Sequence, residues 1–357
     1  MIKFRVNLKA EEHIKRTEKL LTSMGFYVSK RVERSCFDFF GRRDNELIAI
    51  KVLYHVDTFK RKFADDLVII QKSINAVPII AGIKNSFGAL KDGVVYGRYG
   101  IPTVSGATLE QYLTENIRPK MSTSKCGYSA RIDKDKLRKM RKEKNMSLGA
   151  LGRAVGVTAK TIASYERYGK ASYTCARRIE KYLNTNIILG KDLFAQVEKK
   201  IETKEVKRES EPNVKNAIMQ SFNPTDTSTT IKNDLINSLI KLQYQIYPTY
   251  TCPFDGFAHM NDKPIIFSIE TGGRRAVKNA KIMSNISKVI EKPCVLFFDT
   301  IKADRDKGNV NWLKKKGNVY GIPVITSSEL RDIKEPEEIL RLIEERGNEN
   351  WNSHKMG

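Results

Sequence analysis

Residues that could grip a polyanion are concentrated in one stretch of this chain. Positions 131–190 hold 15 Lys and Arg against 5 Asp and Glu, a large share of a formal net charge of +23 spread over 357 residues. Lysine and arginine neutralise phosphates and release condensed counterions, so a local basic excess is the footprint of a nucleic-acid partner; a uniformly lysine-rich surface would spread its charge instead. Other chemistry is thinner. Cys36, Cys126, Cys175, Cys252 and Cys294 are scattered with no CxxC pair, and His13, His55, His259 and His354 share no ligand spacing. That pattern leads us to expect no disulfide framework, no structural metal and no cofactor. Two aspartates stand out because each follows a phenylalanine and precedes an apolar run. Asp38 stands ahead of Leu47-Ile48-Ala49-Ile50, which Lys51 ends, and Asp255 stands ahead of Ile265-Ile266-Phe267.

The basic stretch needs a frame, and Leu137 to Glu166 reads as one. Two short helices crossing steeply through a tight turn demand caps, a small residue at the crossing and a left-handed residue in the turn. Ser147 is placed to cap the first helix and Thr158 the second. Leu151 and Val155 share an inward face, Gly152 is small at the crossing, Gly156 supplies the turn, Val157 plugs the corner, and Ile162 and Tyr165 face inward from the second helix.

This segment resembles the lambda-repressor/Cro-like (XRE-type) helix-turn-helix family. The resemblance rests on Leu137-Arg138 with Arg141, then Ser147, Leu151-Gly152, Gly156-Val157-Thr158, and Thr161-Ile162 with Tyr165-Glu166. It implies that the second helix enters the major groove of duplex DNA. Carried over by position, Ala159, Lys160 and Ser164 are candidate base readers, with Thr158 and Thr161 beside the phosphates or first bases. Lys160 would donate to guanine O6/N7 and the Ala159 methyl would touch a thymine methyl. Arg153, Arg167, Lys170 and the Arg177-Arg178 pair are phosphate candidates. Arg141 and Glu166 stand where the family places a structural ion pair. Leu148 replaces a glutamine that often contacts the DNA backbone, so that contact is expected to be absent.

The flanks look like copies of one another. Each opens with an amphipathic helix, Glu11–Met24 or Ile231–Leu242, followed by the Phe-Asp strand and the apolar strand. Each then has a Pro-initiated buried strand, from Pro78 or Pro293, and closes on Gly-Ile-Pro at Gly100 or Gly321. Three anchors in register indicate a duplication. Short apolar runs alternating with helices predict an α/β fold with a mixed sheet, duplicated around an all-α helix-turn-helix domain. The expected domains are 1–118, 125–195 and 231–345, with a charged, Ser/Thr-rich linker over 196–230 and a tail over 346–357.

The Phe-Asp, strand, lysine pattern resembles the restriction-endonuclease-like PD-(D/E)xK fold. That resemblance implies an aspartate and a second acid holding Mg²⁺, and a lysine two residues beyond that acid, because Mg²⁺ requires several hard oxygen ligands around an open water position. Asp38 and Lys51 fit, but residue 49 is alanine; in the second copy Asp255 fits, but the paired positions are Ile266 and Ser268. Both sites read as vestigial, unless Glu46 or Glu270 migrates in as a substitute ligand. The plainer role for Asp38 and Asp255 is at a strand end, satisfied by backbone donors.

Taken whole, α/β domain, repressor-like head, α/β domain resembles the archaeal family of HTH-type transcriptional regulators. The resemblance implies a non-enzymatic regulator that binds double-stranded DNA, as a homodimer, since one recognition helix reads only a few base pairs. A contact with transcription machinery, or a small-molecule effector, is left open. The alternatives are a metal-dependent nuclease aimed by the helix-turn-helix, and a chromatin- or antitoxin-like binder. Gly272-Gly273-Arg274-Arg275 is a weak phosphate candidate. No window approaches the roughly 18 uncharged apolar residues of a membrane span, and the N-terminus lacks a signal-peptide core. A cytoplasmic, nucleoid-associated location without a membrane partner is therefore expected.

Overall fold

In the computed structural model the described residues are 2–124, 127–194, 227–299 and 317–347. Most of the expected linker, the end of the expected tail, Cys126 and His354 lie outside them. The described residues group into two units, neither continuous in sequence: 2–24, 52–60, 79–124 and 127–194 form the first, and 25–51, 61–78, 227–299 and 317–347 the second. No helix among them is long and apolar enough to cross a membrane.

In the first unit, α1 (Ile2–Ser23) starts well before the amphipathic pattern at Glu11. Its buried face is Ile14, Thr17 and Leu21, one residue per turn. This face packs by α3 (Gly106–Glu115), where His13 approaches Gly106 so closely that an added Cβ would lie 2.9 Å from the ring. Strand β4 (Val77–Asn85) runs parallel to β7 (Ile101–Ser105), which is antiparallel to β6 (Val94–Arg98); β5 (Gly88–Ala89) folds back on β4. Ile79, Ile80 and Ala81 are completely buried, as befits a parallel strand covered on both faces.

That sheet does not stop where the α/β pattern ends. Strand β8 (Met121–Ser124) pairs in parallel with β6, and β9 (Gly127–Ile132) turns back on β8. Strand β9 in turn carries β10 (Lys170–Ser172) and β11 (Ile188–Leu189). Between these strands lie α4 (Lys134–Glu143), α5 (Leu148–Val155), α6 (Ala159–Tyr168) and α7 (Tyr173–Leu183). Strands are thus added to the expected all-helical head. Ala130, Ile132 and Ala171 join Leu137, Leu151 and Ile162 in one apolar core, so the ladder and the helices bury each other's faces.

In the second unit, β1 (Tyr27–Val28), β2 (Phe39–Arg43) and β3 (Glu46–His55) form an antiparallel meander. Helix α2 spans Arg61–Ile74. The C-terminal elements are α8 (Thr227–Lys241), β12 (Gln245–Pro248), β13 (Gly256–Met260), β14 (Lys263–Glu270), α9 (Gly273–Ile290), β15 (Cys294–Phe298), β16 (Asn318–Val319), β17 (Ile322–Thr326), α10 (Ser327–Asp332) and α11 (Glu337–Arg346). Their strands form one mixed sheet in the order β12-β13-β14-β15-β17-β16.

The two α/β copies agree strand by strand. The β1-β2-β3 meander matches β12-β13-β14, and the β4-β7-β6 set (parallel, then antiparallel) matches β15-β17-β16. Asp38 N–H donates to Ile50 O at 2.7 Å, and Asp255 N–H donates to Phe267 O at 2.9 Å. Each copy enters its last strand through a Tyr-Gly turn with both residues at positive φ, Tyr99 and Gly100 or Tyr320 and Gly321. Each leaves it through a hydroxyl cap, Ser105 on α3 or Thr326 on α10.

Within the second unit the repeats also contact one another reciprocally. Arg42 of β2 donates from Nε and Nη2 to the carbonyls of Val289 and Ile290, at 2.7 and 2.6 Å, and so completes the last turn of α9. Conversely, Asp66 of α2, the counterpart of α9, accepts the N–H groups of Tyr250 and Thr251 in the loop after β12.

Candidate nucleic-acid interface

The helix-turn-helix is built from local rules. Ser147 Oγ accepts Ala150 N–H at 3.0 Å and starts α5. Gly156 ends it at φ 72°, ψ 42°, the left-handed conformation that costs glycine nothing. Val157 N–H then returns to Gly152 O at 2.8 Å. A Cβ on Gly152 would lie 2.7 Å from Val157 O, so the approach of the chain to α5 depends on the missing side chain. Thr158 caps α6 by accepting Thr161 N–H at 3.1 Å, and its hydroxyl also meets that of Thr161 at 2.9 Å.

Helix α6 has two faces. Ile162 and Glu166 are buried. At about 100° per residue, Lys160, Ser164 and Arg167 fall on one stripe opposite them. Lys160 and Arg167 are exposed and Ser164 is half-buried; Thr158 and Ala159 are exposed beside the first turn, and Thr161 is half-buried. Unpaired N–H groups at this helix start add a partial positive charge, which favours an anion there. Arg153, on α5, is exposed, as is Lys170 at the first position of β10. Arg167 also lies over the Tyr168 ring, 5.2 Å from its centroid.

Several other charged residues of the head hold its shape. Arg141 reaches Glu166 through two bonds, at 2.6 and 3.0 Å, and donates to Met146 O at 2.8 Å. Glu166 is only 5% exposed, and its hydrogen bond keeps the Arg141 guanidinium charged beyond its usual range. Arg138, part of the quoted motif but given no role by it, adds a bond to the backbone O of Glu166. Arg177 is drawn to Glu180 at 2.8 Å, and Glu180 itself accepts Ile187 and Ile188 N–H. Arg178 lies against the turn, 2.9 Å from where a Gly156 Cβ would be. Leu148 is half-buried against the apolar core, which accounts for an apolar residue at that place.

The positions expected to be vestigial in a nuclease have internal partners. Lys51 Nζ lies 3.1 Å from Asp38 and donates to Ser35 O at 2.8 Å, while residue 49 is a fully buried alanine. Glu46 is taken by Arg43 at 2.8 Å at the far end of β3. In the second copy Asp255 is held by Lys232 at 2.5 Å, by Ile269 N–H at 2.7 Å and by Ser268 Oγ at 3.3 Å. Lys232 comes from α8, where no strand spacing could have indicated it. Glu270 shares Ser268 with Asp255, at 2.8 Å, and Asn279 also donates to it. Burial raises its carboxyl pKa above the ordinary range. Arg275 of the Gly-Gly-Arg-Arg turn is paired with Glu270 at 3.3 Å, leaving Arg274 exposed.

Comparison with known proteins agrees with both halves of this geometry. Residues 10–119 match the PD-(D/E)XK superfamily domain and residues 137–188 match the helix-turn-helix family. A "Putative HTH-type transcriptional regulatory protein" of Methanococcoides burtonii is 30% identical over 304 residues, covering 82% of this chain and 90% of the relative. Proteins with the same name from Archaeoglobus fulgidus and Methanothermobacter thermautotrophicus are 27% and 29% identical, covering 92% and 95% of this chain and 96% and 98% of theirs. No solved structure matches.

Proposed function

We propose that this chain, which belongs to the archaeal family of HTH-type transcriptional regulatory proteins, binds duplex DNA sequence-specifically through α6 and regulates transcription without cutting its target. The observation that carries this reading is the stripe of exposed Lys160, half-buried Ser164 and exposed Arg167, opposite the buried Ile162 and Glu166. Lys160 and Ser164, with Ala159 beside them, read base edges; Arg153, Arg167 and Lys170 hold phosphates; Thr158 and Thr161 orient the first turn. Arg141 and Glu166 fix the angle of α6 and do not touch DNA.

Two chains act together on a two-fold site, with half-sites about one helical turn apart. The three functional domains are 1–118, 125–195 and 231–345, and the protein works in the cytoplasm on the nucleoid. Genome-wide footprinting tests the reading: protected half-sites upstream of genes support it, and protection without sequence preference would favour a chromatin-type binder.

A nuclease is the second reading, favoured by one observation: Glu270 and Asp255 share Ser268 in the second copy. Against it stand Ala49 and Ile266 at the metal-binding position and the lysine held by each aspartate. Mg²⁺ and supercoiled DNA should yield no nicking; cutting that disappears in Asp38→Ala or Asp255→Ala would establish the enzyme.

A further inference from the structure

The reciprocal packing of the repeats in the second unit brings two distant cysteines together. Cys36 stands in the loop before β2, just ahead of Asp38, and Cys252 stands in the equivalent loop before β13, just ahead of Asp255. Their sulfurs are 3.4 Å apart across a sequence separation of 216 residues. Asp66 joins them: an oxygen of its carboxylate and the two sulfurs all lie within 4.8 Å of one another.

Asp66 is completely buried. Its donors are all neutral, the N–H groups of Tyr250 and Thr251 and the Thr251 hydroxyl. Oδ2 takes the three shorter of these bonds and Oδ1 only one, at 3.2 Å. The carboxylate is therefore oriented by fixed dipoles on one oxygen, as metal-binding carboxylates are, with acceptor capacity left on the other. A buried carboxylate with only neutral donors lacks the opposite charge that interior carboxylates ordinarily have.

We infer that Cys36, Cys252 and Asp66 form a binding site for a thiophilic divalent cation of the zinc class. Two thiolates and a carboxylate suit such an ion, and thiolates exclude Mg²⁺ and Ca²⁺ as residents. Sulfurs on one tetrahedral zinc, each about 2.3 Å from it, lie about 3.8 Å apart, so the observed pair needs only a small opening. Cys36 is fully buried, and of the two cysteines only Cys252 has any exposed surface. The bound ion clips together the equivalent loops of the two repeats at the centre of their reciprocal contact. This site is independent of the DNA-binding reading.

The test is a Co²⁺ titration of the full-length, reduced, chelator-treated chain. One equivalent should produce thiolate-to-cobalt charge-transfer absorption, which Zn²⁺ then displaces, and Zn²⁺ should raise the melting temperature. Cys252→Ser, at the partly exposed position, should abolish the band while the far-ultraviolet circular dichroism stays native, and Asp66→Asn should weaken Co²⁺ at least about tenfold. Absence of the band in the wild-type chain, or its survival in Cys252→Ser, would overturn the assignment. So would a diamide-formed Cys36–Cys252 disulfide in a chain that binds no Co²⁺ when reduced.

Discussion

Glu166 of α6 gives both carboxylate oxygens to Arg141 of α4, at 2.6 and 3.0 Å, inside a head where neither side chain is more than 12% exposed. This pair ties α4 to the helix that carries Lys160, so under the proposed reading its loss should disturb DNA binding without removing a DNA contact.

Replacing one partner strands the other charge. Arg141→Met or Glu166→Leu alone should destabilise the head by about 3–5 kcal/mol, and the double variant by clearly less than the sum. Hydrogen exchange of the α6 amides measures this. Equal protection in wild type and both single variants would show that the pair does not hold the helix.

Gly152→Ala places a methyl 2.7 Å from the backbone carbonyl of Val157, a group that cannot rotate away. The expected cost is about 1–3 kcal/mol and a large fall in DNA affinity. Gly149→Ala, where an added Cβ meets nothing closer than Arg153 Nη1 at 3.6 Å, is the control and should leave both unchanged. If the two variants behave alike, the close crossing is not a constraint.

Base readers and phosphate holders separate by their response to salt and sequence. Lys160→Ala and Ser164→Ala should each lower the preference for the operator over random DNA by about 1–3 kcal/mol. Arg153→Ala and Lys170→Ala should weaken both DNAs alike and reduce the log–log salt slope by about 1 each. Full operator preference in both α6 variants would mean that another surface reads the bases.

His13 should make the α1–α3 contact acid-sensitive. Burial holds its pKa below the ordinary 6.5, with Arg16 adding in the same direction and the Ala81 backbone opposing. Above 6.5 both folded and unfolded chains keep it neutral, and its contribution is intact. As pH falls below that value, the unfolded chain takes up a proton that the folded chain accepts only lower down, so stability is lost across that interval. Urea midpoints of wild type and His13→Gln should therefore converge as the solution is acidified. A constant difference between them from neutral pH to about pH 5 would refute the assignment.

The parts of the fold that could be read from sequence are those written in local stereochemistry. Ser147, Gly156 and Thr158 mark helix ends because caps and left-handed turns depend on single residues. The Gly-Ile-Pro recurrence marks equivalent strands because the same turn needs the same backbone angles twice. What escaped depends on partners far apart in the chain. Lys232 meets Asp255 from another element, Cys36 meets Cys252 only after the repeats pack, and Asp66 is one of two adjacent aspartates in an otherwise ordinary amphipathic helix. Met121–Ser124 and Gly127–Ile132 are short and largely polar, so they lack the apolar alternation that betrays a strand, yet they join the head to the sheet.

That junction has a mechanical consequence. A domain tethered by a supple connector can swivel until it finds its groove, and so tolerates irregular spacing between binding sites. Here the route from β6 through β8 and β9 to β10 is a continuous run of paired strands, and Ser172, at its end, caps α7. Helix α6 runs directly into β10 and so is anchored to this ladder. If α6 reads DNA as proposed, it turns together with the strands and does not swivel on its own.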